Sequence, residues 1–444
     1  MRRDTIFALS SGRGRAGVAV IRISGDAARI VLERMASPLP KPRYAAFRYV
    51  RHPDTGDVLD QALVLWFPGP KSETGEDMAE LQVHGGRAVI QEVLEGIGAM
   101  EGCRLAEPGE FARRAFEAGK LDLTGVEGLA DLIEAETSAQ RRQALRQAEG
   151  ALWRLYDGWR QKLLKASALV EAAIDFSDEG DVAAGTLSQA RAEVEVLAEA
   201  IGAHLKDGRR GEVLREGFQV VLAGPPNVGK SSLLNALARR DAAIVSDEPG
   251  TTRDAIEVKL DIDGLPIVVT DTAGIRDAQG KVEQEGIRRT LARAKDADLV
   301  LWMVDATAPE RLPAQMSAGA GRTLVLINKM DLLGPEPLRA PEDGAIGISA
   351  LTGFGLDAVT RRVGAIAAAR IGGAEAPALT QARHRQQLER CCEPLRTFLS
   401  SPLEEVELRA EDLRRAALAL GRLTGAVAVE DVLGEIFNRF CIGK

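Results

Sequence analysis

Residues 224–231 read Gly-Pro-Pro-Asn-Val-Gly-Lys-Ser, the spacing G-x-x-x-x-G-K-S of a loop that wraps phosphate groups. The run before it, FQVVLA at 218–223, is short and apolar and predicts a buried strand feeding the loop. Gly224 and Gly229 let backbone N–H groups turn inward around an anion, helped by the positive end of a helix beginning near Lys230. In the cradle formed by Asn227, Val228, Gly229, Lys230, Ser231 and Ser232, the Lys230 ammonium is expected on the β- and γ-phosphates and the Ser231 hydroxyl on Mg2+. Strands and helices alternate through 217–372, including LVLWMVD at 299–305 and TLVLIN at 323–328, which predicts a wound α/β sheet.

Two further motifs follow in order. Asp271-Thr272-Ala273-Gly274 ends a second apolar run, PIVVTD. Asp271 is expected to hold Mg2+ through water, and the Gly274 N–H to sense a γ-phosphate. Asn328-Lys329-Met330-Asp331 comes next. The two Asp331 oxygens can accept the guanine N1–H and exocyclic amine together, which adenine cannot satisfy. Asn328 is expected to tie this base loop to the phosphate loop, and Ser349-Ala350-Leu351 fits the last base-contacting loop. The three motifs specify a guanine-nucleotide switch that binds GTP, and the guanine-selecting loop disfavours a metabolic P-loop kinase. Between the first two lies Gly250-Thr251-Thr252-Arg253-Asp254, in which Thr252 is the candidate to complete the Mg2+ shell. Ile275 follows Gly274, where Ras-type proteins carry a glutamine that positions the attacking water. An aliphatic side chain cannot orient water. Arg276 and Glu283 are nearby candidates to act instead, and Asn227 offers a cation ligand.

A chain of 444 residues predicts two to four domains. No run of about 20 apolar residues appears, and the N-terminal MRRDTIFALSSGRGR lacks a long apolar core, so neither a membrane span nor a secretory signal is expected. The four cysteines, Cys103, Cys391, Cys392 and Cys441, form no C-x-x-C pair and suggest no zinc site. A reducing cytoplasm is the simplest compartment. The net charge of −8 argues against a generally basic nucleic-acid binder. The distribution is uneven, however. Residues 1–51 carry eleven Arg or Lys against three Asp or Glu, and residues 138–165 seven against two. Such clusters either meet phosphates or form a solvated basic face.

Texture divides the chain. Residues 1–118 hold short β-like runs (VAVIRI, ALVLWF, ELQVHG) broken by Gly and Pro, a mixed α/β unit. Residues 119–216 are rich in Ala, Leu, Glu, Arg and Gln at helical spacing, with an acidic break, DFSDEGD, at 175–181. Residues 217–372 hold the nucleotide motifs, and helical texture returns over 373–444. The simplest account is a nucleotide domain inserted into a helical domain and anchored at both ends, so that nucleotide-driven motion acts on the helices.

Other stretches carry a resemblance. The chain closes FCIGK at 440–444 and contains GRAGVAVIRISG at 14–25, TGED at 74–77, ELQVHGG at 80–86, PGEF at 108–111 and KLDL at 120–123. With the internal GTPase motifs, these resemble the bacterial and organellar tRNA modification GTPase family MnmE (also called TrmE) over essentially the whole chain. The resemblance implies an N-terminal α+β tetrahydrofolate-binding domain that also dimerises, a discontinuous helical domain and an inserted Ras-like P-loop GTPase domain. It implies a homodimer that works with the FAD-dependent MnmG (GidA), in a heterotetramer or larger assembly, on C5 of the wobble uridine of certain tRNAs. The product carries an aminomethyl or carboxymethylaminomethyl group, and the carbon comes from 5-formyl- or methylene-tetrahydrofolate. GTP, Mg2+ and K+ are the implied cofactors. Asn227 resembles the family's K+ ligand. The loop Ser246, Asp247, Glu248, Pro249, Gly250, Thr251 and Thr252 resembles the segment that caps the ion, with oxygens from Ser246, Glu248 and Thr251. A cation there offsets transition-state charge as an arginine finger does. Glu283 matches the glutamate that orients the attacking water. Arg22, Glu80 and Lys120 match folate-contacting positions, with Lys444 close by. Cys441 reads from its apolar surroundings as an inert thiol and from the resemblance as a reactive one, which needs a lowered pKa.

The alternative is a ribosome-assembly GTPase of the Era or Der kind, a switch that modifies nothing. Such factors lack the N-terminal folate-like motifs and the FCIGK ending. The guanine motif makes its own prediction: Asp331→Asn shifts preference toward xanthine nucleotides in competition binding, and unchanged GTP selectivity counts against the assignment.

Overall fold

The computed structural model describes residues 4–12, 14–176, 180–207, 209–240, 257–271, 297–308, 322–333, 344–372, 377–402, 405–427, 430–438, 440 and 442–443. Contacts divide the chain into two compact units. One comprises residues 1–130, 147–161 and 417–444, and the other residues 131–146 and 162–416.

The first unit is built on a six-stranded sheet. Its strands are β1 (Thr5–Leu9), β2 (Ala16–Ser24), β3 (Ala46–Arg51), β4 (Val58–Phe67), β5 (Met78–Gly85) and β6 (Cys103–Leu105), in the order β3-β4-β5-β2-β1-β6. All neighbours are antiparallel except β1 and β6. Period-2 alternation sends Ile21 and Ile23, Leu81 and Val83, and Val64 and Trp66 to one face. There they meet Val31, Leu32 and Met35 of α1 (Ala28–Met35) and Val93 and Ile97 of α2 (Arg87–Gly98). The opposite parity of β1, Ile6 and Ala8, packs with Met78 under Phe111 of α3 (Glu110–Glu117). Leu123 and Val126, at the start of α4 (Leu123–Glu134), close a smaller apolar cluster with Phe437 and Phe440.

The second unit holds the other six-stranded sheet, β12-β11-β10-β7-β9-β8. Its strands are β7 (Phe218–Ala223), β8 (Glu257–Ile262), β9 (Leu265–Asp271), β10 (Leu299–Asp305), β11 (Thr323–Asn328) and β12 (Ile346–Gly347). Only β8 runs antiparallel to its neighbour. Both faces of the sheet are covered, so the strands read as continuous apolar runs. Val220 and Leu222 look toward one cluster and Ala223 toward another with Val300 and Trp302. The chain leaves β7 for β9 on one side and β10 on the other, and ligands bind at the carboxyl ends of strands beside such a switch point. The remaining helices of this unit include α5 (Ser138–Ala148), α6 (Ala151–Asp175), α7 (Gly180–Asp207), α8 (Arg209–Glu216), α9 (Lys230–Arg240), α10 (Leu356–Ile371), α11 (Ala382–Ser400) and α12 (Val406–Thr424), some of which continue past its limits. Helix α13 (Glu430–Phe437) belongs to the first unit.

Helices α7 and α11 pack through apolar stripes at three- and four-residue spacing, Leu187, Ala190, Val194, Leu197 and Ile201 on one and Leu388, Cys391, Leu395 and Phe398 on the other. Burial, with the neighbouring His384, pushes His204 on α7 down to about 4, against a smaller opposing pull from Asp207. A histidine depressed in the folded state stays neutral there while the unfolded chain takes up a proton. Its contribution is therefore present above the ordinary value near 6.5 and lost as pH falls from there through about 4. Chemical denaturation between pH 7 and 4 is expected to show stability falling by up to roughly 1.4 kcal/mol per pH unit in that window from this group. His204→Gln flattens the slope.

Candidate functional site

The phosphate loop follows β7 directly and ends in α9, as its motif requires. Gly224 sits at φ +142, with Met303 O 2.3 Å from where a β-carbon would stand, and Gly229 at φ +99, with Asn328 Nδ2 2.4 Å away in the same sense. Neither position admits a side chain without displacement. Asn227 also takes a left-handed φ of 59° and is exposed. Val228 is buried in the sheet's core, Lys230 is buried, and Ser231 and Ser232 are exposed at the helix start. The Lys230 ammonium donates to Gly224 O at 2.9 Å and Pro225 O at 2.8 Å. Burial pulls its pKa down, and Asp271 partly offsets this. Ser231 Oγ donates to Asp271 Oδ2 at 2.8 Å. A hydroxyl and a carboxylate oxygen so placed are hard donors of the kind Mg2+ takes.

The base loop is tied to this cradle by one side chain. Asn328, only 3% exposed, donates through Nδ2 to Val228 O at 2.8 Å and accepts at Oδ1 from the Ala350 N–H at 3.0 Å. Ser349 is fully buried, and its Oγ–H donates to Asp331 Oδ1 at 2.5 Å. This bond orients the Asp331 carboxylate. Lys329, at φ 65°, pairs with Asp305 Oδ2 at 2.6 Å. That hydrogen bond, with others from Thr307, holds the Asp305 carboxyl down to about 2. Asp305, at the end of β10, is a support for the base loop that the motif search did not single out. Thr272, Ala273, Gly274, Glu283 and the loop of Ser246, Asp247, Glu248, Pro249, Gly250, Thr251 and Thr252 lie outside the described residues.

The first unit gathers a second constellation. Arg22 and Glu80 are opposite one another across β2 and β5. Arg22 Nη2 stands 3.3 Å from Glu80 and Nη1 3.2 Å from Glu73, and the guanidinium lies over the Phe111 ring at 5.8 Å. Its Nε is buried and has no hydrogen-bond partner among the described residues. A buried N–H left unpaired costs free energy that an acceptor on a ligand would recover. Lys120 passes Gly75, its Cε 3.7 Å from where a β-carbon there would stand. The tail is pinned to the end of β1. Ser10 Oγ donates to Gly443 O at 2.7 Å, Ile442 bridges to Pro108, and a β-carbon on Gly443 (φ +101) would stand 2.3 Å from Leu9 O. Cys441 and Lys444 lie outside the described residues.

Beneath it, Glu110 bonds Arg104 at 2.6 Å and Arg114 at 3.0 Å, while Arg114 also reaches Glu76 at 2.9 Å. Burial would push the Glu110 carboxyl up, but Arg104, the Glu107 N–H and Arg114 together hold it below the usual carboxylate range. Ser24 Oγ donates to Glu76 Oε2 at 2.7 Å. Sequence reading touched this network at Ser24, Glu76 and Glu110, within the GRAGVAVIRISG, TGED and PGEF stretches, but not its pairings, because its ion pairs join distant segments.

The cradle geometry predicts that Gly229→Ala, which drives a methyl group into Asn328, lowers GDP affinity at least about tenfold by calorimetry. Unaltered affinity would contradict the tie between the two loops.

Two family models match the chain. One is described as the GTP-binding protein TrmE N-terminus, over residues 5–120, and the other as the MnmE helical domain, over residues 123–441. The tRNA modification GTPase MnmE of Parvibaculum lavamentivorans is 52% identical, over 99% of this chain and 100% of that protein. The protein of the same name from Methylobacterium sp. (strain 4-46) is 53% identical, over 99% and 100%. The human mitochondrial 5-taurinomethyluridine-[tRNA] synthase subunit GTPB3 is 49% identical, over 99% and 93%. Matched from its first strand to its last helix, the chain belongs to the tRNA modification GTPase MnmE (TrmE) family.

Proposed function

We propose that this chain hydrolyses GTP to drive the modification of tRNA at C5 of the wobble uridine, together with the FAD-dependent MnmG (GidA). It adds an aminomethyl or carboxymethylaminomethyl group with a tetrahydrofolate derivative, 5-formyl or methylene, as carbon donor. The observation that carries this reading is a guanine-selecting cradle set in a chain similar over 99% of its length to tRNA modification GTPases.

In this reading residues 217–372 are the GTPase domain, inserted between 119–216 and 373–444 of a helical domain, and residues 1–118 bind folate and dimerise. Lys230 and the loop N–H groups bind phosphates. Ser231 and Thr252 would hold Mg2+, with Asp271 reaching it through water, and the ion would offset charge on the phosphates. Asn227, Ser246, Glu248 and Thr251 hold K+, whose charge stands in for an arginine finger. Glu283 orients water in place of the absent glutamine. Asn328, Lys329, Asp331, Ser349 and Ala350 hold guanine.

Arg22, Glu80 and Lys120 hold the folate. A folate offers pterin donors and acceptors and an anionic tail, which suits a carboxylate beside cations, and the unpaired Arg22 Nε supports a ligand there. Lys444 and the Cys441 thiol complete that site, with Cys441 as the reactive group. A homodimer through the N-terminal domain is supported by a sheet face on which Phe47 is 57%, Tyr49 48% and Leu63 44% exposed. No described helix is long and apolar enough to cross a membrane, and the cytoplasm is the proposed location.

The test is GTP hydrolysis by the pure protein in potassium chloride against sodium chloride at equal ionic strength, alongside mass spectrometry of tRNA incubated with GTP, folate and the partner. Potassium stimulation of about tenfold or more and a modified wobble uridine are expected. Equal rates in the two salts would remove the cation site, and unmodified tRNA would remove the modification reading.

A further inference from the structure

The β8–β9 hairpin joins two parts of the nucleotide site. Strand β8 begins at Glu257, just after the Gly250–Asp254 motif, and β9 ends at Asp271, the partner of Ser231. Pairing is unbroken from Glu257 opposite Thr270 to Ile262 opposite Leu265. The turn is Asp263-Gly264, with φ of 54° and 81°, the pair of positive values a tight two-residue hairpin turn needs. Over Ile267–Asp271 strand β9 is also paired with β7, so a displacement at the base reaches the turn through strands held in the sheet, and only the Asp261–Pro266 end is paired to itself alone.

That tip touches a helix. The first N–H groups of a helix have no partner within it. In α5 they are shared out. Thr137 and Gln140 form a reciprocal capping pair, the Thr137 N–H donating to Gln140 Oε1 at 3.0 Å and the Gln140 N–H to Thr137 Oγ1 at 3.4 Å. The Ala139 N–H between them donates to Gly264 O of the hairpin tip at 3.1 Å. The approach is close: a β-carbon on Gly264 would stand 2.4 Å from Ser138 Oγ. Beside it Lys259 of β8 pairs with Glu136 at 3.0 Å.

A second arm leads to the strand that feeds the phosphate loop. Gln140 Nε2 donates to Arg215 O at 3.0 Å, and Arg215 Nε pairs with Asp131 at 2.7 Å. Arg215 lies at the end of α8, whose next turn of chain is Gly217 and β7. These polar links stand around a cavity of about 500 Å³ lined in part by Glu136, Gln140, Arg215, Lys259 and Val268. A small apolar cluster of Ala139 of α5 with Leu214 of α8 and Leu265 of the hairpin lies beside these links, so the start of the helix is held by packing as well as by polar bonds, and packed contacts of this kind move between discrete arrangements and not by gradual deformation.

We propose that the β8–β9 hairpin and the first turn of α5 form a coupling joint, through which the nucleotide bound at the phosphate loop sets the position of α5. The proposal rests on the reading of the chain as a nucleotide-driven enzyme and names the route by which the nucleotide acts. Gly264, Ser138, Lys259 and Glu136 are positioning residues: none is assigned to the nucleotide, and each acts through the hairpin or the helix.

The test is amide hydrogen exchange of the full chain with GDP and with a non-hydrolysable GTP analogue, comparing peptides over 138–146 with peptides over 224–232. In the native protein the exchange of 138–146 is expected to differ about fivefold or more between nucleotides. Gly264→Asn keeps a residue that tolerates positive φ but drives its β-carbon onto Ser138 Oγ, and it abolishes the difference at 138–146 while that at 224–232 persists. Adding Ser138→Ala removes the colliding oxygen and restores the difference, which a general loss of stability would not allow. Lys259→Ala leaves the turn intact and reduces the difference about twofold or more. In all three, GTP hydrolysis stays near the native rate and tRNA modification follows the exchange difference. Nucleotide-independent exchange at 138–146 beside a responsive 224–232 overturns the joint alone, as does a Gly264→Asn protein that keeps the full difference. A 224–232 segment that responds to neither nucleotide overturns the guanine-nucleotide reading and the joint with it.

Discussion

The nucleotide site depends on the buried amide of Asn328. Its Nδ2 and Oδ1 are both used, one on the phosphate loop at Val228 and one on the last base loop at Ala350. An amide has a donor end and an acceptor end in fixed opposition. Only a side chain of this shape, at the end of β11, joins the two loops at once. Aspartate would set an oxygen against Val228 O, and leucine would leave both backbone groups unpaired in a buried place. Gly229 has no side chain because Asn328 occupies the space. Ser349 lies one residue before Ala350, so fixing Ala350 also fixes the hydroxyl that aims Asp331. The two loops are thereby held in one geometry.

The N-terminal unit solves a different problem with similar means. Charged groups are taken out of water only where others meet them. Arg114, 5% exposed, is met by Glu76 and Glu110, and a buried charge without such partners is strongly destabilising. Arg22 is the partial exception, since two of its nitrogens are paired and Nε is not. The chain itself thus leaves this guanidinium short of one hydrogen bond.

Much of the nucleotide half was legible in the sequence because its signals are local. The apolar run before Gly224, the glycine spacing and the helix after Lys230 all lie within two dozen positions, and the strands LVLWMVD and TLVLIN declare themselves by composition. Alternation in β2, β4 and β5 likewise marks strands, but nothing local states that β5 lies between β4 and β2, since that order comes from which faces can be buried together. The ion pairs of Glu110 and the support of Lys329 by Asp305 join segments with no common pattern. The capping pair at Thr137 and Gln140 is readable in TSAQ as a helix start, whereas the hairpin carbonyl that completes it comes from Gly264, more than a hundred positions along the chain.

The bond from Ser10 to Gly443 spans 433 positions. During synthesis the N-terminal sheet emerges first and is able to fold long before the tail leaves the ribosome, since domains fold largely in the order they are made. Leu9 and Pro108 therefore wait through the making of the whole nucleotide domain for Gly443 and Ile442 to meet them. A chain cut before Ile442 would keep its sheet and its phosphate loop yet never close this seam. The parts that fold early thus stay open at one seam until a segment 433 positions further along reaches them.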